Sequence, residues 1–190
     1  MRTIKTLVKN NFLMLSIIFL TTSVLGAQEQ KPSETFLRNG IQTHILESSI
    51  GHIYSAQYFY GLNPKNYLVL GLGYQNIGYD FGNTHAPCLN LGYRRYLWKD
   101  LYAEYTLWPA YNWFYEKNEK KYYNGLELWG EGRIGYDINF TIGKTRFFIT
   151  PQFCIGKGIF RGNKPDSFKE YYRTQEKIFM KPNIAVGLKF

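Results

Sequence analysis

From Ile178 to Phe190 every second residue is apolar (Ile178, Met180, Pro182, Ile184, Val186, Leu188 and Phe190), and the positions between them hold Phe179, Lys181, Asn183, Ala185, Gly187 and Lys189. A repeat of two places alternate side chains on opposite faces of a strand. Soluble strands run to about 5–6 residues, whereas a tilted strand crossing a bilayer needs about 9–11 plus its ends. An unbroken alternation of this length, apolar on one face and lysine-bearing on the other, suits a strand set between lipid and a polar interior. A sandwich strand is the soluble alternative.

The pattern recurs along the chain between turn residues. The expected strands are Gly40–Glu47, His52–Gly61, Tyr67–Tyr79, Ala86–Leu97, Leu101–Trp113, Tyr123–Ile138, Arg146–Gly158 and Ile178–Phe190. Their outward rows include Leu68, Leu70, Leu72 and Tyr74 on the third strand, Leu89, Leu91 and Tyr93 on the fourth, and Phe147, Ile149, Pro151, Phe153 and Ile155 on the seventh. The opposite rows are polar or small. Prolines inside strands remove ladder donors, so irregular pairing is expected there.

These features predict an all-β fold: an eight-stranded antiparallel transmembrane β-barrel with both termini on the periplasmic side. Leu62–Asn66, Trp98–Asp100 and Asn139–Lys144 are its short periplasmic turns, and its outer loops are mostly longer, notably Tyr115–Tyr122 and Phe160–Thr174. The link near Ser48–Gly51 is short and breaks that trend. Aromatics at 18% and 18 glycines favour strands over helices, and no stretch has the period of a three-turn amphipathic helix.

Such a barrel must be exported. Arg2, Lys5 and Lys9 precede an apolar run, Phe12–Leu20, that trails into small and polar residues, the layout of a signal peptide over residues 1–27. Cleavage follows either Gly26 or Ala27; residues 28–39 are then a flexible lead-in to a barrel occupying the remainder of 28–190. The apolar run is too short for a membrane helix, which needs roughly 20 residues. The expected location is the outer membrane of a Gram-negative bacterium, with outer-membrane lipid and lipopolysaccharide as surroundings. Removing the three leader cations leaves 20 basic against 14 acidic residues, a moderate excess that by itself does not imply nucleic acid.

The inward rows carry charge. Counting back from the turn at Trp98–Asp100 puts Leu97 opposite Leu101 and Arg94 opposite Glu104, a predicted salt bridge; the next turn brings Asp137 near Arg146, and Glu127, Glu131 and Arg133 line the same interior. An eight-stranded barrel is just wide enough for side chains to fill, so these seven residues read as a structural charge network rather than a pore or a catalytic site. None of the histidines has a sequence partner of the lipid A deacylase type, which would need a Ser two residues on; the contexts are His44-Ile45-Leu46, His52-Ile53-Tyr54 and His85-Ala86-Pro87. Cys88 and Cys154 fall on non-neighbouring strands and read as two inward thiols rather than a disulfide. No nucleotide fingerprint or metal cluster is present, so no cofactor and no enzymatic activity are expected.

The final strand resembles the C-terminal signature of bacterial outer-membrane barrels in Ile184, Val186, Leu188 and Phe190, which implies insertion by the barrel-assembly machinery. Gly40-Ile41-Gln42, Tyr79-Asp80 with Pro87, Gly92-Tyr93 ahead of Asp100, and Val186-Gly187-Leu188-Lys189-Phe190 together resemble the TraO-type proteins of conjugative transposons; Asn90 and Leu91 depart from that pattern. The resemblance implies a non-enzymatic component of a conjugative DNA-transfer apparatus, acting through conjugation proteins without touching nucleic acid. A structural or adhesive surface barrel resembling the OmpX or OmpA group, a lipid A-modifying barrel enzyme and a soluble lipocalin-like binder are the alternatives.

Overall fold

The computed structural model describes residues 36–143, 145–174 and 178–190. The signal segment, its cleavage positions and residues 28–35 lie outside them. The elements are β1 (Asn39–His44), α1 (Ile45–Ser49), β2 (Ile53–Asn63), β3 (Asn66–Tyr79), β4 (Gly82–Trp98), β5 (Leu101–Glu116), β6 (Lys121–Tyr136), β7 (Ile138–Ile142), β8 (Thr145–Arg161), α2 (Asp166–Thr174) and β9 (Ile178–Lys189).

From β1 to β6 each strand pairs antiparallel with the next, β6 and β7 both pair with β8, and β8 pairs with β9. The circuit closes where β1 meets β9, from Gly40 opposite Lys189 to His44 opposite Ala185. At that seam the Asn39 and Phe190 backbones exchange hydrogen bonds of 3.0 and 2.8 Å. The ring therefore has eight strands, with β7 continuing β6 along β8 beyond Asp137. Closure leaves no open sheet edge around the ring, which is how an all-β wall satisfies its backbone groups without water.

Side chains alternate as the period of two requires. Leu70 and Leu72 are 50% and 68% exposed, while Gln57, Asn90 and Thr106 are buried at 0–1%. The apolar residues thus face out and the polar ones in. The lower end, which carries the tight turns Pro64–Lys65 and Lys99–Asp100, is filled by an aromatic layer of Phe59, Tyr67, Tyr96, Tyr102 and Phe148 around Val69. Phe36 closes it from outside, its ring edge-on to Tyr67 at 6.0 Å. Among the described residues, no helix is long and apolar enough to cross a membrane.

Several element bounds differ from the sequence expectation. The first strand stops at His44 instead of Glu47, because Ser48 and Ser49 hydroxyls cap the carbonyls of His44 and Ile45 at 3.0 and 2.6 Å and the chain winds into α1. The expected sixth strand, Tyr123–Ile138, breaks at Asp137. The fourth, fifth and seventh expected strands are longer than expected and the sixth starts two residues earlier, so the link expected over Tyr115–Tyr122 is only Lys117–Lys120 and that between the third and fourth strands is only Asp80–Phe81. The register slips by one near the turn, pairing Trp98 with Leu101 in place of Leu97, yet Arg94 stays opposite Glu104. The β4–β5 ladder is interrupted on either side of Cys88–Ala110, at the levels of Pro87 and Pro109, where the imide nitrogen has no hydrogen to give. Finally, Phe160–Thr174 contains α2 and folds against the barrel mouth.

Candidate functional site

Among the described residues, charged side chains cluster at three levels inside the barrel. The central one is built on Arg94 and Arg133, inward-facing on β4 and β6. Arg94 Nη2 lies 2.6 Å from Glu104 Oε2, and Arg133 Nη1 lies 3.0 Å from the other oxygen of the same carboxylate. Arg133 Nε also reaches Glu131 at 2.5 Å. The Arg94 guanidinium is sandwiched between the rings of Phe59 and Tyr102, 4.4 and 3.9 Å from their centroids, and donates to Gln42 at 3.1 Å. Ring contacts and donation from Nε and Nη2 offset part of the cost of burying this charge, while Nη1 has no hydrogen-bond partner among the described residues.

Glu47 joins this cluster from α1. In a strand running through residue 47 it would share the outward row of Ile41 and Thr43; the turn of helix rotates it inward, to 3.0 Å from Lys181 Nζ and 3.6 Å from Arg133. Lys181 was visible in the sequence as an inward position of the last strand. Glu47 was not, since its signal is the early end of β1.

The second cluster is low in the barrel. Asp137 accepts from Lys189 Nζ at 2.7 Å, from Tyr96 at 2.5 Å and from Thr150 at 2.6 Å. These three bonds explain the break between β6 and β7. Arg146, expected beside Asp137, sits in register with Thr141 and Lys189, whereas Thr150 is the residue level with Asp137.

The third cluster is at the upper end. Glu127 accepts from Asn112 at 3.0 Å and from the Trp129 indole at 3.2 Å, and pairs with Lys164 from the segment before α2. Burial pushes the Lys164 ammonium down to about 8. Ser167 donates to Glu116, and Phe168 is fully buried among Tyr79, Phe81 and Phe114, with centroids 5.3, 4.8 and 5.0 Å away. Tyr79 and Tyr172 hydroxyls meet at 3.1 Å. The helix therefore stoppers the upper mouth. On the seam strand, Ile184, Val186 and Leu188 lie opposite Pro151, Ile149 and Phe147 on the outward side, followed by the exposed Phe190.

Potential ligand atoms of Glu47, Glu131 and Cys154 fall within 4.8 Å of one another. Arg133 and Lys181 already occupy those carboxylates, so the net charge that would attract a cation is neutralised. His44, for which the sequence offered no partner, in fact has three. Its Nε2 is 3.2 Å from Gln42, and Ser55 Oγ and Glu47 Oε2 approach the same Nδ1 at 3.1 and 3.4 Å. A nucleophile relay needs the hydroxyl and the carboxylate on opposite ring nitrogens. This buried set is instead a packing contact between β1, β2 and α1. Cys88 and Cys154 are both buried free thiols.

No protein-family model matches the chain. No curated protein matches it. Among solved structures it is similar to the crystal structure of the N-terminal β-barrel domain of Pseudomonas aeruginosa OprF, at 14% identity over 80% of this chain and 96% of that one, with a TM-score of 0.46.

Proposed function

We propose that the chain is an integral outer-membrane β-barrel with a filled lumen and no enzymatic activity, serving as a structural surface barrel of the OmpA kind. The observation that carries this reading is the inverted distribution of side chains. Outward apolar residues on several strands, among them Leu68, Leu70, Leu72, Leu89, Leu91 and Phe153, are exposed at 40% or more, around an interior of buried Arg94, Glu104 and Arg133. In water an exposed apolar row on strand after strand is a surface that monomeric soluble proteins rarely carry. In a bilayer it is the expected surface of a closed antiparallel wall.

The test is partition. Refolded protein should float with phospholipid vesicles through a density gradient and resist alkaline extraction. Folded, monodisperse protein in buffer without detergent would defeat the reading and favour the lipocalin-like one.

The conjugative role implied by the TraO-type motifs is a second reading, carried by those short motifs. Two of their glycines have a structural reason of their own: a Cβ on Gly40 would meet the Phe59 ring at 2.8 Å and Leu188 O at 2.9 Å, and one on Gly187 would strike Ile41 O and the Phe148 ring. Both belong to the β1–β9 seam, so general barrel closure accounts for them. Loss of the gene should lower conjugation frequency if the second reading holds and leave it unchanged under the first. Either reading expects the barrel-assembly machinery to engage Ile184, Val186, Leu188 and Phe190, and Phe190→Ala to reduce the amount of inserted protein.

A further inference from the structure

At the upper end of β8 the outward row of apolar residues is broken by a cation. Lys157 is exposed between Ile155 and Ile159, which are 42% and 54% exposed. It opens a cavity of about 490 Å3 whose lining includes Arg161, Lys164, Lys169, Tyr172 and Arg173. That volume falls in the range of small-ligand sites, about 300–1,000 Å3.

Five cations line the cavity, and three have acids of their own. Lys164 pairs with Glu127, Lys169 with Asp166 at 2.8 Å and Arg173 with Glu170 at 2.8 Å. Lys157 and Arg161 have no carboxylate among the described residues. Arg161 is held by rings, its guanidinium carbon 5.1 Å from the Trp129 centroid and 5.0 Å from that of Tyr172, and its Nε makes no hydrogen bond. Two cations on a cavity wall that form no ion pair among the described residues, the Glu127 carboxylate opposite Arg161 being taken by Lys164, match a phosphomonoester, which carries about −1.5 to −2 at neutral pH and three acceptor oxygens.

We propose that this cavity binds a phosphate group, with Lys157 and Arg161 as its principal contacts. The inference rests on the membrane reading for where the phosphate comes from: with the apolar belt in lipid, Lys157 stands at the upper edge of that belt, level with the headgroups of the outer leaflet. A phosphorylated glycolipid headgroup and a soluble phosphate ester share the chemistry.

Binding is measured on the full folded chain in detergent by native mass spectrometry and calorimetry, with three probes: bis-phosphorylated lipid A, the same glycolipid with its phosphates removed, and inorganic phosphate. The phosphorylated glycolipid should bind at least tenfold more tightly than the dephosphorylated one, with affinity falling as salt is raised. The double substitution Lys157→Gln/Arg161→Gln should abolish that preference, while Lys157→Arg keeps it. Faster migration of unboiled samples on SDS gels shows that each variant is folded.

Inorganic phosphate displacing the glycolipid at comparable affinity would support the site with a soluble ester as its source; failure to displace would support a lipid-borne one. Equal binding of the two glycolipids with no binding of inorganic phosphate, or a preference that survives the double substitution, would overturn the proposal. Vesicle flotation of the same preparation separates the failures: protein that floats yet ignores phosphate loses only this inference.

Discussion

Glu104 is shared by two arginines that otherwise have unequal support. Among the described residues Arg94 has no second carboxylate within bonding distance, whereas Arg133 also reaches Glu131 at 2.5 Å and Glu47 at 3.6 Å. Removing one partner of a buried ion pair typically costs about 3–5 kcal/mol, because the remaining charge is stranded. Glu104→Gln should therefore destabilise the barrel by about that amount, and Glu131→Gln by about 1–3 kcal/mol, the cost of one charged hydrogen bond with alternatives at hand. Urea unfolding of vesicle-inserted protein, with equal slopes for parent and variants, checks the order. Equal losses would mean that the two carboxylates are interchangeable. The Arg94–Glu104 contact is readable from the sequence because a tight turn fixes which residues face each other. Lys164 on Glu127 is not, because nothing local ties residue 164 to residue 127.

The same contrast holds for whole elements. Strands β2 to β5, β8 and β9 follow directly from alternation, since their outward rows are largely apolar and their inward rows largely polar or small. The two helices are too short to announce themselves. Helices of 5 and 9 residues are not stable alone, and what holds them is tertiary: Glu47 on Lys181 for α1, Phe168 in its aromatic cage for α2. That dependence makes α2 the element most easily released. Phe168→Ala removes a fully buried ring, a change worth about 3–5 kcal/mol in well-packed sites, and should undock the helix while leaving the ring of strands intact. Trypsin should then cut after Lys169 and Arg173 at least tenfold faster than in the parent, with the barrel fragment still migrating as a folded species. An unchanged cleavage rate would show that Lys164, Ser167 and Tyr172 hold the helix without the ring.

At the scale of the molecule these features act in series across the lumen. Eight strands enclose a space that side chains can just fill, and here three layers fill it. They are α2 with Phe168 at the upper mouth, the Arg94–Glu104–Arg133 cluster in the middle, and the aromatic layer of Tyr67, Tyr96, Tyr102 and Phe148 below. A single opening cannot connect the two ends. Undocking α2 clears the upper layer alone, because Arg94 and Arg133 are 1% and 2% exposed and are held by strands, not by the helix. In planar bilayers the parent should therefore show no channel steps, and Phe168→Ala should show none either, although its mouth is open to trypsin. Steady conductance in the parent would contradict a filled lumen outright, and conductance appearing only in Phe168→Ala would make α2 the sole gate and the charge layer beneath it permeable.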